Sequence, residues 1–248
     1  MKVNILASGS SGNCIALTSG ESTILVDAGI AKTKIEKRLL EVGITPNNIK
    51  AIFVTHAHGD HIKGLSLAGK YKIPVYAGEG EWKSIDGVDD ELQMNATAGY
   101  ANGIDYKFEV SAFKSHHDSY EPLGYTITEL ETERKCSVCL DTGKVDVAMF
   151  DMMKDSDIYI IEANHEPRMV EASAYPNSVK ARILSHIGHL SNEQTADALT
   201  KLMKGGESIY LTHLSSNNNL PALAEMTVIK ALKDKGLKQD QHYKIEVV

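Results

Sequence analysis

Four side chains able to bind a metal ion fall within six residues of this chain: His56, His58, Asp60 and His61, in the run Thr55-His56-Ala57-His58-Gly59-Asp60-His61. Imidazole nitrogen and carboxylate oxygen suit zinc and neighbouring transition metals. The residues between them, Ala57 and Gly59, are small and leave the backbone room to turn several side chains to one side. With ten histidines in the chain, two lying close would be ordinary. The spacing H-x-H-x-D-H directly after an apolar run is not. A cation held there would lower the pKa of a bound water towards about 7 and so supply a nucleophile at neutral pH.

The element that delivers this loop is the apolar run at residues 51–54, of strand length. Residues 2–7, 14–18 and 23–26 read as further strands, with Gly9, Gly12 and Asn13 marking a tight turn after the first. Residues 32–42 carry Ile35, Leu39, Leu40 and Val42 at helical spacing and are stopped by Gly43 and Pro46. A helix is expected over 62–70 and a strand over 74–76. Residues 86–105 are polar and show no period. Strands are expected at 106–113, 125–128, 136–140 and 158–161. Ser191 is placed to cap a helix over 191–203, with Gln194 completing a capping box. A last strand is expected at 209–212 and a closing helix at 221–235. Met149, Met152 and Met153 read as helix packing. Strands followed by helices suggest two packed sheets with helices outside.

Composition bounds the rest. With 248 residues, 42% apolar and 24% charged, the chain reads as one layered α/β domain, residues 1–248. The net charge of −7, from 26 basic and 33 acidic side chains, includes no cationic tail for nucleic acid. Bound divalent ions would add positive charge where a phosphate sits. Cys14, Cys136 and Cys139 give no disulfide framework. Cys136 and Cys139 lie in an expected strand with no second pair to complete a zinc site, and read as core. The first apolar run stops at Ser8, too short for an export signal, and no run approaches the ~20 residues that span a bilayer; the expected location is the cytoplasm.

The run THAHGDH resembles the metal-binding motif of the metallo-β-lactamase superfamily. Further matches follow in order: Asp27 in ILVDAG, His117 in SHHDSYEPLGY, Asp141 in CLDTG and His213 in YLTHLS. The stretches SGSSGN, EANHE, YPNSVKARI, GHLSNE and HLSSNNN resemble the YycJ/WalJ subfamily, which is associated with DNA exonuclease activity. GHLSNEQTA is also similar to the stretch that carries a catalytic histidine in tRNA 3′-processing endonucleases. The resemblance implies a four-layer αββα sandwich. It implies two metal ions, Zn²⁺, Mn²⁺ or iron: His56, His58 and His117 on the first, Asp60, His61 and His213 on the second, and Asp141 bridging both. His116 and His117 are adjacent, and the family pattern, with its ligand immediately before Asp, selects His117.

The implied reaction is phosphodiester hydrolysis of DNA by a metal-bridging hydroxide, as a 5′→3′ exonuclease, with Asp60 in the catalytic set as well as on the metal. His189 is the candidate general acid or phosphate contact, and Glu162 the carboxylate that orients it. His165, at an expected strand end, is a further candidate for catalysis or substrate contact. Ser10, Ser11 and Asn13 form a turn whose backbone N–H groups could face a phosphate, and Lys180 and Arg182 could meet a nucleic-acid backbone. The same metal chemistry would serve a small-molecule hydrolase, such as a cyclic-phosphate phosphodiesterase or thioesterase, which the net acidity favours. A metal-binding protein without turnover is the third reading.

Overall fold

The computed structural model describes all residues, Met1–Val248. Contacts divide them into two compact units, residues 1–114 with 119–134, and residues 115–118 with 135–248.

The first unit begins with three strands in antiparallel succession, β1 (Lys2–Ala7), β2 (Cys14–Ser19) and β3 (Ser22–Val26). Helix α1 (Lys32–Glu41) then carries the chain back so that β4 (Ile49–Phe53) runs parallel to β3, with Val26 opposite Phe53. A helical crossover is what a parallel neighbour requires. α1 buries Ile35 and Leu39, and Gly43, at a φ of 80°, ends it in the left-handed conformation common at helix ends. Next come α2 (Gly59–Ile62), α3 (Ser66–Tyr71), β5 (Val75–Ala77) and β6 (Gln93–Asn95), both strands continuing the parallel order from β4. β7 (Ala101–Ile104), β8 (Phe108–Lys114) and β9 (Leu123–Glu129) form an antiparallel meander. The core of this unit gathers Leu25, Ile52 and Val54 from the sheet with Ile35, Leu39 and Leu67 from the helices.

The second unit is a parallel sheet in the order β10 (Lys135–Cys139), β11 (Ile158–Glu162), β12 (Glu207–Thr212), β13 (Tyr243–Val247). Helix α4 (Val147–Met153) links the first pair, α5 (Pro167–Ala172), α6 (Asn177–Ile183) and α7 (Asn192–Leu202) the second, and α8 (Pro221–Asp234) the third. Every residue of β11 is buried, as expected of a strand covered on both faces. The Ser191–Gln194 capping box is present in full. Met149 and Met153 are buried on α4, and Cys136 and Cys139 are buried on β10. No helix is long and apolar enough to cross a membrane.

Four expectations change. The single helix over 62–70 is two short helices, because the Gly64 N–H bonds the Ala28 carbonyl at 2.7 Å and pulls the chain off the helical path. The strand expected from residue 106 starts at Phe108, since Asp105 and Tyr106, at φ of 50° and 53°, form the turn of the β7–β8 hairpin. Positive φ at both central positions matches the right-handed twist of a hairpin. Residues 86–105 hold β6 and β7, three and four residues long, too short for a period to show. Finally, β12 is not the last strand: β13 follows α8.

The turn after β1 is locked to the histidine loop. The Asn13 N–H donates to the Asp60 carbonyl at 2.8 Å, and the Gly29 N–H donates to the Asn13 carbonyl at 2.7 Å. A Cβ on Gly29 would lie 1.6 Å from the Asp60 oxygen. Gly29→Ala should therefore cost about 3 kcal/mol through forced backbone shifts, read as a lowered urea midpoint; an unchanged midpoint would mean the two segments are not in this contact.

Candidate metal centre

In both units several candidate residues stand at the carboxyl ends of parallel strands, where α/β sheets bind their ligands. Asp27 follows β3, and the Thr55–His61 segment follows β4. Asp141 follows β10, Glu162 ends β11 and His213 follows β12, with Glu162 in register with Thr212. Asp27, Asp141 and His213 have φ of 61°, 45° and 54°. Left-handed backbone at non-glycine residues costs about 1–3 kcal/mol each and persists only where surrounding contacts impose it.

In the first unit, the fully buried Asp27 carboxylate is the hub. Its Oδ1 accepts the Thr55 N–H at 2.8 Å, and the Thr55 hydroxyl donates to the same carboxylate. Its Oδ2 accepts from His61 Nδ1 at 2.7 Å. A proton on Nδ1 makes His61 Nε2 an acceptor, the state a metal ligand needs, and here it accepts from the Asn13 carboxamide nitrogen at 3.1 Å. The Thr55 hydroxyl, having donated to Asp27, accepts from His56 Nδ1 at 3.1 Å, which leaves His56 in the same tautomer. His56 Nε2 faces His58 Nδ1 at 2.9 Å, and Asp60 Oδ2 lies 3.5 Å from His61 Nε2. Glu81, also fully buried, braces the loop by accepting the Ala57 N–H at 2.7 Å and the Glu121 N–H at 2.5 Å.

In the second unit, ligand atoms of Asp141, Glu162, His189 and His213 lie within 4.8 Å of one another. His213 Nδ1 is 2.9 Å from Asp141 Oδ1, and His189 Nδ1 is 3.0 Å from the same oxygen. Glu162 Oε2 meets His189 Nδ1 at 3.1 Å, while its Oε1 accepts the backbone N–H groups of Thr142 at 2.7 Å and Leu190 at 3.2 Å. Burial works against charge on His189, but the Glu162 and Asp141 carboxylates outweigh it and hold the imidazole up at about 9. Burial likewise works against the Glu162 carboxylate, and His189 keeps it below its ordinary value.

The two adjacent histidines have different partners. His117 is buried, its Nδ1 donates to the Gly188 carbonyl at 3.1 Å, and burial lowers its pKa, so Nε2 carries the lone pair. His116 Nε2 instead pairs with Asp146 at 2.7 Å. The donor set fits a borderline divalent ion: imidazoles held in one tautomer by second partners, with carboxylates between them. No thiolate joins it, because burial pushes the Cys139 thiol far up.

The remaining sequence candidates fall outside these clusters. Ser10 and Ser11 are exposed on their turn, whereas Asn13 is buried beneath it, its carboxamide accepting from the Gly9 N–H and lying 3.1 Å from His61 Nε2. Lys180 donates to the Glu171 carbonyl and Arg182 pairs with Asp118 at 2.6 Å. His165 is almost wholly buried, and its backbone carbonyl accepts the Asn192 N–H at 2.9 Å. Thr55, Glu81 and Asn164 were not singled out by sequence. Asn164 donates from its carboxamide to the His213 carbonyl at 2.9 Å. A lone Thr or Glu carries no period or spacing that marks it; Asn164 stood in the EANHE stretch.

Residues 22–214 match the family model of the beta-lactamase superfamily domain. The chain belongs to the beta-lactamase superfamily. It is 36% identical over 247 residues to the exodeoxyribonuclease YycJ of Bacillus anthracis, covering 98% of this chain and 93% of that one. It is 34% identical to the exodeoxyribonuclease WalJ of Streptococcus pneumoniae serotype 2, again covering 98% and 93%. Among solved structures, the metallo-beta-lactamase fold protein YhfI of Bacillus subtilis superposes with a TM-score of 0.74 at 13% identity, covering 99% of this chain and 95% of that one. The expected αββα, α/β fold is thereby borne out. The chain is an enzyme of this metal-dependent hydrolase superfamily.

His165 offers a test of the second unit. Burial lowers its pKa from 6.5 to about 4, and its Nδ1 has no hydrogen-bond partner. A histidine held neutral in the folded state binds fewer protons than the unfolded chain does. Its contribution is complete above about pH 6.5 and is lost as pH falls towards about 4. Urea midpoints followed through that window should fall more steeply for the native chain than for His165→Gln; equal slopes would remove His165 from the acid response.

Proposed function

We propose that this chain is a dinuclear metal-dependent phosphodiesterase that degrades DNA from the 5′ end. The observation that carries the reading is His189: its Nδ1 is committed to Glu162 at 3.1 Å and Asp141 at 3.0 Å, which leaves Nε2 as the atom able to hand a proton to a leaving oxygen. Similarity along nearly the whole chain to two proteins named exodeoxyribonucleases supports a nucleic-acid substrate. The family match runs through both units, which supports reading residues 1–248 as one catalytic domain.

In this reading His56, His58, Asp60, His61, His117, Asp141 and His213 would hold two divalent ions, with Zn²⁺ or Mn²⁺ as the occupants that such nitrogen and oxygen donors would accept. Bound divalent cations would supply acidified water and take up charge developing on the phosphoryl oxygens. Asp27 and Thr55 fix the tautomers of His56 and His61. Glu162 holds His189 charged and aimed. As the bond to the leaving oxygen breaks, His189 Nε2 gives up its proton, and the two carboxylates stabilise the cationic imidazole until then.

Asp141→Ala should lose bound metal and activity together, seen by metal analysis of the purified protein beside degradation of a 5′-labelled duplex with Mn²⁺ or Zn²⁺. His189→Ala should retain the metal and lose roughly 100- to 10,000-fold in turnover; full turnover would remove His189 from the reaction. Cleavage of bis-p-nitrophenyl phosphate by a native chain that leaves the duplex intact would favour a small-molecule substrate instead.

A further inference from the structure

A cavity of about 560 Å³ in the first unit is lined by Ser10, Ser11, Asp60, Lys63, Ser84 and Asp86. This volume lies within the ~300–1,000 Å³ typical of small-ligand sites. Its groups are of two kinds. Ser10, Ser11 and Lys63 are hydrogen-bond donors; Lys63 is exposed and makes no ion pair, and the two hydroxyls make no bond to the protein. Ser84 and Asp86, also exposed, can accept hydrogen bonds.

The donor side is rigidly mounted. Gly12 N–H closes the turn on the Gly9 carbonyl at 2.9 Å, and Asn13 ties the turn to Asp60 by a 2.8 Å backbone bond. Gly12 must lack a side chain, since a Cβ there would sit 2.5 Å from the Gly29 oxygen. The serines are therefore fixed with respect to Asp60, a residue shared by the cavity and the metal-ligand segment. A ligand bound there meets preorganised donors and loses little to ordering them.

A molecule that needs anion donors at one end and hydrogen-bond acceptors at the other, beside a phosphodiester-cleaving site, is a nucleotide. We propose that this cavity seats the terminal nucleotide of the strand, with its 5′-phosphate on Ser10, Ser11 and Lys63 and its nucleoside directed to Ser84 and Asp86. The assignment rests on the nuclease reading above and specifies which end of the strand the protein grips. An ammonium is a compact point charge suited to a terminal phosphate, and Lys63 is its only cation.

The test is calorimetric titration of the metal-loaded full chain with 2′-deoxyadenosine 5′-monophosphate and with 2′-deoxyadenosine, on the native protein, Lys63→Glu and Lys63→Arg, run beside degradation of the 5′-labelled duplex by the native protein. The monophosphate should bind the native chain at least about tenfold more tightly than the nucleoside, the scale of one charge-assisted contact. Lys63→Glu should abolish that advantage, and Lys63→Arg should keep it. The proposal is overturned if the two ligands bind the native chain alike, or if the advantage survives Lys63→Glu, which would put the phosphate on the metals alone. Lys63-dependent binding without duplex degradation would defeat the nuclease reading and leave the nucleotide site standing. Duplex degradation with Lys63-independent binding would do the reverse.

Discussion

A buried carboxylate that fixes the orientation of an imidazole through its Nδ1 proton is the interaction on which both halves of this molecule depend. Asp27 does this for His61 at 2.7 Å, and Glu162 does it for His189 at 3.1 Å. Such charge-assisted bonds are worth about 1.5–3 kcal/mol each, but their geometric effect matters more. With Nδ1 fixed, each ring presents Nε2 along one direction only. Neither carboxylate is left with an unmet oxygen: Asp27 also takes donors from Thr55, and Glu162 from the backbone of Thr142 and Leu190. Burial that would otherwise neutralise these acids is thus offset by several donors at once.

The parallel sheets explain why these groups can be placed at all. Strands in register deliver their last residues to one edge, so residues more than fifty positions apart in sequence, such as Glu162 and His213, become neighbours without long connecting loops. The backbone must then turn sharply just past the strand. Left-handed Asp27, Asp141 and His213 make that turn. Aspartate and histidine are both several-fold enriched among the non-glycine residues that adopt this conformation, so each position can make the turn and still offer a metal-binding side chain.

What sequence could reveal follows from this geometry. The loop from His56 to His61 was legible because its donors are packed into six residues, and the capping box at Ser191 because its two partners sit at fixed spacing. Asp27, His117, Asp141 and His213 emerged only through family resemblance, since each is one residue in an otherwise ordinary strand end. Glu81 was invisible: its value lies in reaching the Ala57 and Glu121 N–H groups, and nothing local to it says so. The helix over 62–70 failed for the same reason, as Gly64 answers to the distant Ala28 carbonyl and not to its neighbours. β13 had a readable alternation of Tyr243, Ile245 and Val247 with Lys244 and Glu246, and five residues are simply a faint pattern.

The three cysteines, all buried, have a chemical consequence. A nucleophilic sulfur must be ionised and accessible; here burial drives the Cys14 and Cys139 thiols far from ionisation. Peroxides and alkylating agents therefore have no easy entry to the folded molecule through sulfur. With only nitrogen and oxygen atoms offered to a cation, thiophilic ions such as cadmium or cuprous copper gain no special hold, and the site is biased towards harder metals.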